Sequence, residues 1–259
     1  MDLCASPGSK TLQALEIVAQ NGKGRIIAND VHSGRLDSLR EAVVRSGLSD
    51  TLTTRVTFTN YDASIFPLPR SGKLFDAIIC DVPCSGDGTI RKDKHILPLW
   101  TPNTGNELHG LQVKILSRAL ELVTIGGIVC YSTCSLNPVE DEAVVATALL
   151  ETKSEMMKFE LMTWPKNLLS GFIRRPGIRD WNVGFYDHNK MDGGSDDYGS
   201  ITFCADKHQA EDAGIQDVSA TLWPPKPQIQ QLNIERCVRL LPQDNDTGGF
   251  FLVLIKRLK

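Results

Sequence analysis

Two cysteines stand just past short apolar runs and carry the strongest chemical signal in this chain. Ala77-Ile78-Ile79-Cys80 leads into Asp81-Val82-Pro83-Cys84, and Gly127-Ile128-Val129-Cys130 leads into Tyr131-Ser132-Thr133-Cys134. If the two runs are neighbouring parallel strands, both thiols emerge at the carboxyl edge of one sheet, where open α/β folds place their sites. Cys80, Cys130 and Cys237 sit inside apolar runs and read as small buried residues. Cys84 and Cys134 follow Pro83 and Thr133 in loops, where function is commoner. Cys-x-x-x-Cys occurs twice, which is not the usual zinc spacing, and two of the four sulfurs would have to leave their strands to meet a metal. No metal is expected.

A second group of residues suits a nucleoside. Cys4-Ala5-Ser6-Pro7-Gly8-Ser9-Lys10 precedes an amphipathic pattern and reads as a strand-loop-helix turn whose backbone N–H groups face a ligand. Asp30 ends the next strand, about 20 residues on, where a carboxylate can accept from ribose hydroxyls; its alternative is a helix cap. Asp62 follows the third strand and suits an adenine amino group, or is an exposed loop acid. Acids at Asp30, Asp62 and Asp81 along one edge favour a nucleoside over a phosphate, because carboxylates accept from hydroxyl and amino groups. The dinucleotide pattern G-x-G-x-x-G is absent, so S-adenosylmethionine is the expected cofactor. Methyl transfer to C5 of a pyrimidine accounts for the thiols. C5 is a poor nucleophile until a thiolate adds to C6, and the C5 proton must later leave so that the thiolate can be eliminated. Asp81 can accept from the amino group of a cytosine.

The elements needed to position these groups are legible along the first half. Strands are expected over 25–28, 56–59, 76–80 and 127–131, and helices over 10–21, 34–46, 107–123 and 138–150, an alternation that implies βαβ units. Leu108, Leu111, Ile115, Ala119 and Leu122 form the apolar stripe of the third helix. Glu140, Asp141 and Glu142 read as acid in the first turn of the fourth, with a structural role. Residues 185–217 turn polar and Gly/Asp-rich and read as an exposed insertion. Apolar runs at 237–241 and 250–255 suggest two antiparallel strands at a sheet edge.

Length and composition set the bounds. The chain has 259 residues, 41% of them hydrophobic, and is expected to form one domain over 1–259. No apolar run approaches the roughly 18 residues of a membrane span, so no membrane association is expected. Seven cysteines is an odd count and leaves at least one thiol free, which fits a reducing intracellular compartment. The formal net charge of −3 lends no support to nucleic-acid binding, so any basic face must be local, as at Arg91-Lys92-Asp93-Lys94-His95. Only Met1-Asp2-Leu3 precede the turn at Cys4, so the sequence reads as an N-terminally truncated catalytic domain.

The stretches Asp2 to Thr11, Cys80 to Thr89, Tyr131 to Glu142 and Asp246 to Phe251 resemble, in order, the motifs of the Nop/Sun family of RNA cytosine-5 methyltransferases. Leu108-His109-Gly110-Leu111-Gln112 and Glu235-Arg236-Cys237 further resemble its tRNA-modifying branch. The likeness spans most of 1–150 and 224–259. It implies a Rossmann-like, class I S-adenosylmethionine-dependent methyltransferase fold, α/β with a mostly parallel sheet and helices on both faces. It implies Cys134 as the nucleophile at C6, Cys84 as the group that assists release of methylated RNA, and Asp81 close to the cytosine. The loop Cys4, Ala5, Ser6, Pro7, Gly8, Ser9, Lys10, with Asp30, Asp62 and Asp81, would surround S-adenosylmethionine. The expected partner is RNA, in particular tRNA, and the resemblance suggests the nucleus. The alternative is a catalytically inactive RNA- or protein-binding remnant, and an amino-directed methyltransferase ranks last because Cys84 stands where an aromatic would be wanted after Pro83.

Overall fold

The computed structural model describes residues 1–47, 53–152, 157–165, 167–168, 170–191 and 199–259. A mixed sheet forms the centre. Its parallel half contains β1 (Ile26–Asn29), β2 (Val56–Thr59), β3 (Phe75–Asp81) and β4 (Val123–Thr133). β1 pairs with β2 and β3 with β4, both in parallel. The gap between the pairs is filled by the first residues of the chain: Asp2 bridges Ala28 on one side and Ile79 on the other, both parallel. Backbone bonds from Leu3 N to Ile79 O (2.9 Å) and Ala5 N to Asn29 O (2.7 Å) continue the ladder. These residues join the two strand pairs and lead the chain into the Cys4 turn.

Beyond β4 the direction reverses. β10 (Phe250–Arg257) is antiparallel to β4 and is flanked on its other side by β9 (Val238–Leu240) and β5 (Phe159–Leu161). The two-residue β6 (Arg175–Pro176) pairs with β9. The late strands do pair antiparallel, but β10 is interior rather than at an edge. Its run Phe250 to Ile255 is almost continuously apolar, and Phe251, Val253 and Ile255 are fully buried with Leu252 7% exposed, the pattern of a strand covered on both faces.

Alternation along β1 sorts the helices. Ile26 and Ala28 join a core cluster with Leu15 of α1 (Ser9–Gln20) and Leu36 and Leu39 of α2 (Ser33–Arg45). Ile27 packs instead against the larger cluster built with α3 (Pro102–Leu122) and α4 (Glu142–Glu151). Since successive strand residues point to opposite faces, the helices cover both sides of the sheet.

The α3 stripe is rotated from the expected one. Leu111 is 39% exposed while His109 and Gln112 are buried. His109 bonds Val139 O (2.7 Å) and Thr221 Oγ1 (2.9 Å), and Gln112 Nε2 donates to Pro83 O (2.9 Å), which makes their burial tolerable. α4 begins four residues later than expected because Glu140 and Asp141 turn inward in the preceding turn. The stretch read as an exposed insertion contains an ordered hairpin, β7 (Val183–Met191) with β8 (Gly199–Cys204), and the helix α5 (Lys207–Asp212). Val183, Cys204 and Ala210 are fully buried in the main core. The run Gly193 to Asp197 lies outside the described residues. No helix among the described residues is long and apolar enough to cross a membrane.

Candidate active site

The parallel pairing of β3 with β4 sets Asp81 opposite Ser132 and Cys80 opposite Tyr131. Just beyond the strand ends, three residues past Asp81 and one past Thr133, the loops bring Cys84 Sγ within 3.2 Å of Cys134 Sγ. All seven cysteines are free thiols. Cys80 is fully buried and Cys130 is held up at about 11 by burial, so these two are inert packing. Burial also pushes Cys4 up to about 12. In the close pair the proton is unequally shared. The hydrogen bond from the Cys84 thiol lowers Cys134 below the ordinary thiol value, although burial opposes it, and the same bond together with burial raises Cys84. Cys134 is thus the more acidic, half-buried thiol of the pair, and Cys84 the one that keeps its proton more tightly.

The two loops are locked by backbone contacts. Gly88 N donates to Cys134 O (2.9 Å), and Gly249 N donates to Gly88 O (2.6 Å). A Cβ on Gly88 would lie 2.6 Å from Cys134 O and 2.7 Å from Gly249 O, so only glycine fits. Asp87 Oδ1 accepts from Leu136 N (2.9 Å). Below them, Arg239 from β9 pairs with Glu142 and Asp141, donates to Leu136 O (2.9 Å) and braces the Cys134 loop from the sheet. Thr133 Oγ1 donates to Asp141 (2.6 Å).

Asp81 stands between the thiols and the turn at the chain's start. Its Oδ1 accepts from Ser132 Oγ (2.6 Å) and its Oδ2 from Lys10 Nζ (2.7 Å). Asp30, 4% exposed, accepts from Ser6 N (3.2 Å) and His32 N (2.9 Å) and so ties the Cys4–Lys10 turn to the start of α2. Ala5, Ser6 and Gly8 are buried while Pro7 and Ser9 are exposed. Gly8 has φ +113°, and a Cβ there would strike Leu39 at 2.4 Å. Asp62 falls apart from this network: it is exposed and caps a single turn through Ser64 N (2.8 Å) and Ser64 Oγ (2.7 Å). A cleft of about 830 Å³ between α3 and the hairpin, lined among others by Asn106, Val113, Phe185 and Leu222, contains none of these groups.

The turn, with Asp30 and Asp81, fits a nucleoside cofactor with a cationic centre. Ser6 Oγ is buried without a partner inside the turn, and the carboxylates are acceptors for hydroxyl, amino and cationic groups. The structure adds residues that the sequence patterns did not mark as functional. Glu140, read as helix-start acid, accepts from Ser85 and Gln112, and Ser135 also donates to it. The signal available for them was their place inside or beside the cysteine motifs, together with the oddity of a glutamine at core spacing on α3.

The sheet order and the site at its carboxyl edge define a class I methyltransferase fold carrying a two-thiol centre. The sequence model of the 16S rRNA methyltransferase RsmB/F family matches residues 1–180, and this chain belongs to that family. It is 33% identical over 99% of its length to the multisite-specific tRNA:(cytosine-C(5))-methyltransferase trm4b of Schizosaccharomyces pombe, covering 39% of that protein. The multisite-specific tRNA:(cytosine-C(5))-methyltransferase of Saccharomyces cerevisiae is likewise 33% identical over the whole chain, which covers 36% of it. The chain thus spans little more than a third of the length of these curated relatives. Among solved structures, a methyltransferase homolog protein from Pyrococcus horikoshii superposes with a TM-score of 0.60 at 25% identity, over 98% of this chain and 59% of that one.

Proposed function

We propose that this chain transfers a methyl group from S-adenosylmethionine to C5 of a cytosine in RNA, with tRNA as the substrate class that the names of its relatives favour. The observation that carries the reading is the pair of thiols 3.2 Å apart, one donating to the other, beside Asp81 at the carboxyl edge of β3 and β4. The Cys4–Lys10 turn and Asp30 hold the cofactor, which supplies an electrophilic methyl group when bound.

Cys134 adds to C6, forming an S–C bond and moving the ring electrons towards C5, which becomes nucleophilic. Asp81 accepts from the cytosine amino group and orients the ring. After methylation the C5 proton must be removed, and its electron pair reforms the ring double bond as the S–C6 bond breaks. Bonded to carbon, the Cys134 sulfur no longer accepts from Cys84. Cys84 then loses the hydrogen bond that held its proton in place and can ionise to serve as the base for this step.

The test is methyl transfer from labelled cofactor to unmodified tRNA, with bisulfite sequencing of the product. Cys134→Ala should abolish turnover. Cys84→Ala should leave RNA covalently attached, visible as a slow band on a denaturing gel. Full turnover by the Cys134→Ala protein would overturn the mechanism.

A further inference from the structure

The acidic run after Pro138 divides into two roles. Asp141 and Glu142 face Arg239. Glu140, fully buried, faces the loops that carry the thiols. Its Oε1 accepts from Ser85 N (2.8 Å) and Gln112 Nε2 (3.0 Å), and its Oε2 from Ser85 Oγ (2.5 Å) and Ser135 Oγ (2.7 Å). Ser85 is the residue after Cys84 and Ser135 the residue after Cys134. One carboxylate is therefore fastened to both loops at the position next to each thiol. Gln112 also donates to Pro83 O (2.9 Å), so the Cys84 loop is held on both sides of its sulfur. Four charge-assisted bonds on one buried group make a stiff clamp, since each donor would be left unpaired if it moved away.

We propose that Glu140 is a positioning residue that sets the separation and orientation of the Cys84 and Cys134 thiols, and through them the order of addition and release. The catalytic meaning rests on the cytosine-5 methyltransferase reading, whereas the geometric claim does not. A 3.2 Å contact between sulfurs on two separate loops survives only if the loops cannot drift, and Glu140 bonds both at the residue next to each sulfur, beside the direct contacts from Gly88 and Asp87.

The test reads the thiols directly. Cysteine alkylation is measured against pH with each site resolved by mass spectrometry, in the full chain without RNA or cofactor, for wild type, Glu140→Gln, Glu140→Ala and the double variant Ser85→Ala/Ser135→Ala. Wild type should label first at Cys134. In Glu140→Ala and the serine double variant the Cys134 midpoint should rise, slowing its labelling near neutral pH by at least about tenfold, because only the thiolate reacts. Glu140→Gln retains the shape of the side chain, and the serine hydroxyls can turn to accept from its amide, so it should restore part of the wild-type profile. In the presence of tRNA and cofactor, Glu140→Ala should accumulate the covalent RNA band expected of Cys84→Ala. Should Glu140→Ala fail to fold, the serine double variant cuts the same clamp from the loop side. Variants that lose thermal stability but keep the wild-type Cys134 profile would overturn the positioning role. A wild-type protein with the expected thiol profile but no methyl transfer would sink the reaction and leave the clamp standing.

Discussion

Replacing Gly88 with alanine inserts a methyl group where two backbones already meet. Its Cβ would lie 2.6 Å from the Cys134 carbonyl oxygen, 2.7 Å from that of Gly249 and 3.0 Å from the Gly249 carbonyl carbon. None of these belongs to a flexible side chain, so the loops must part by about 0.4 Å merely to restore a 3.0 Å contact. That motion stretches the bonds from Gly88 N to Cys134 O and from Gly249 N to Gly88 O. Two hydrogen bonds at about 1 kcal/mol each and an overpacking cost of about 1–3 kcal/mol predict a loss of roughly 3–5 kcal/mol. For a domain of this size the melting temperature should fall by roughly 6–20 °C. Cys134 moves with its carbonyl, and because a misplacement of about 1 Å can cost ~100-fold in rate, methyl transfer at a temperature where both proteins are folded should fall at least about tenfold. Thermal denaturation by circular dichroism and the labelled-tRNA assay measure the two effects. A Gly88→Ala protein that melts within a degree of wild type would show that the three segments do not meet as described.

Arg239→Leu leaves Glu142 and Asp141 buried without their cation and frees Leu136 O, so denaturant unfolding should show a loss of about 3–5 kcal/mol. Burial holds His109 below the ordinary imidazole value of 6.5. The unfolded chain then binds the proton first, so stability should be full above about pH 7 and fall as pH drops through 6.5 towards the lower folded value. Melting curves from pH 8 to 5 should show this slope in wild type and its reduction in His109→Gln. Asp30→Ala releases Ser6 N and His32 N and removes an acceptor from the turn proposed to hold the cofactor, and loss of a charged hydrogen bond of about 1.5–3 kcal/mol predicts roughly 10- to 100-fold weaker binding of S-adenosylmethionine by calorimetry. Unchanged affinity would place the cofactor away from this turn.

The parallel half of the sheet was legible because its strands are short apolar runs separated by amphipathic helices, and β2 occupies the expected residues to both ends. The two thiols were legible for the same reason: loop cysteines after such runs have few structural explanations. Local pattern failed where tertiary partners override it. Glu140 and Gln112 look like surface residues, and only donors and acceptors from other segments, such as Ser85 and Pro83, offset the cost of burying them. The β7–β8 hairpin was hidden because its core contribution rests on a few scattered residues, Val183, Phe185 and Cys204, while Ile201 and Phe203 remain exposed. β5 and β6, of three and two residues, are too short to show any periodicity.

The reversed strand β10 has a consequence for how the protein is made. Arg257 bonds back to the carbonyl of Val123 across 134 residues of sequence. During synthesis β4 leaves the ribosome with its pairing edge towards β10 open, and it waits on the order of 10 s for its partner at ordinary elongation rates. An apolar strand edge left open for that long is a site for association with other nascent chains. Gly249, which closes the back of the thiol loops, arrives in the same late segment. The Cys4–Lys10 turn and both cysteines are therefore synthesised well before the wall that holds the thiol loops in register, and the thiol pair is complete only once that segment has been made.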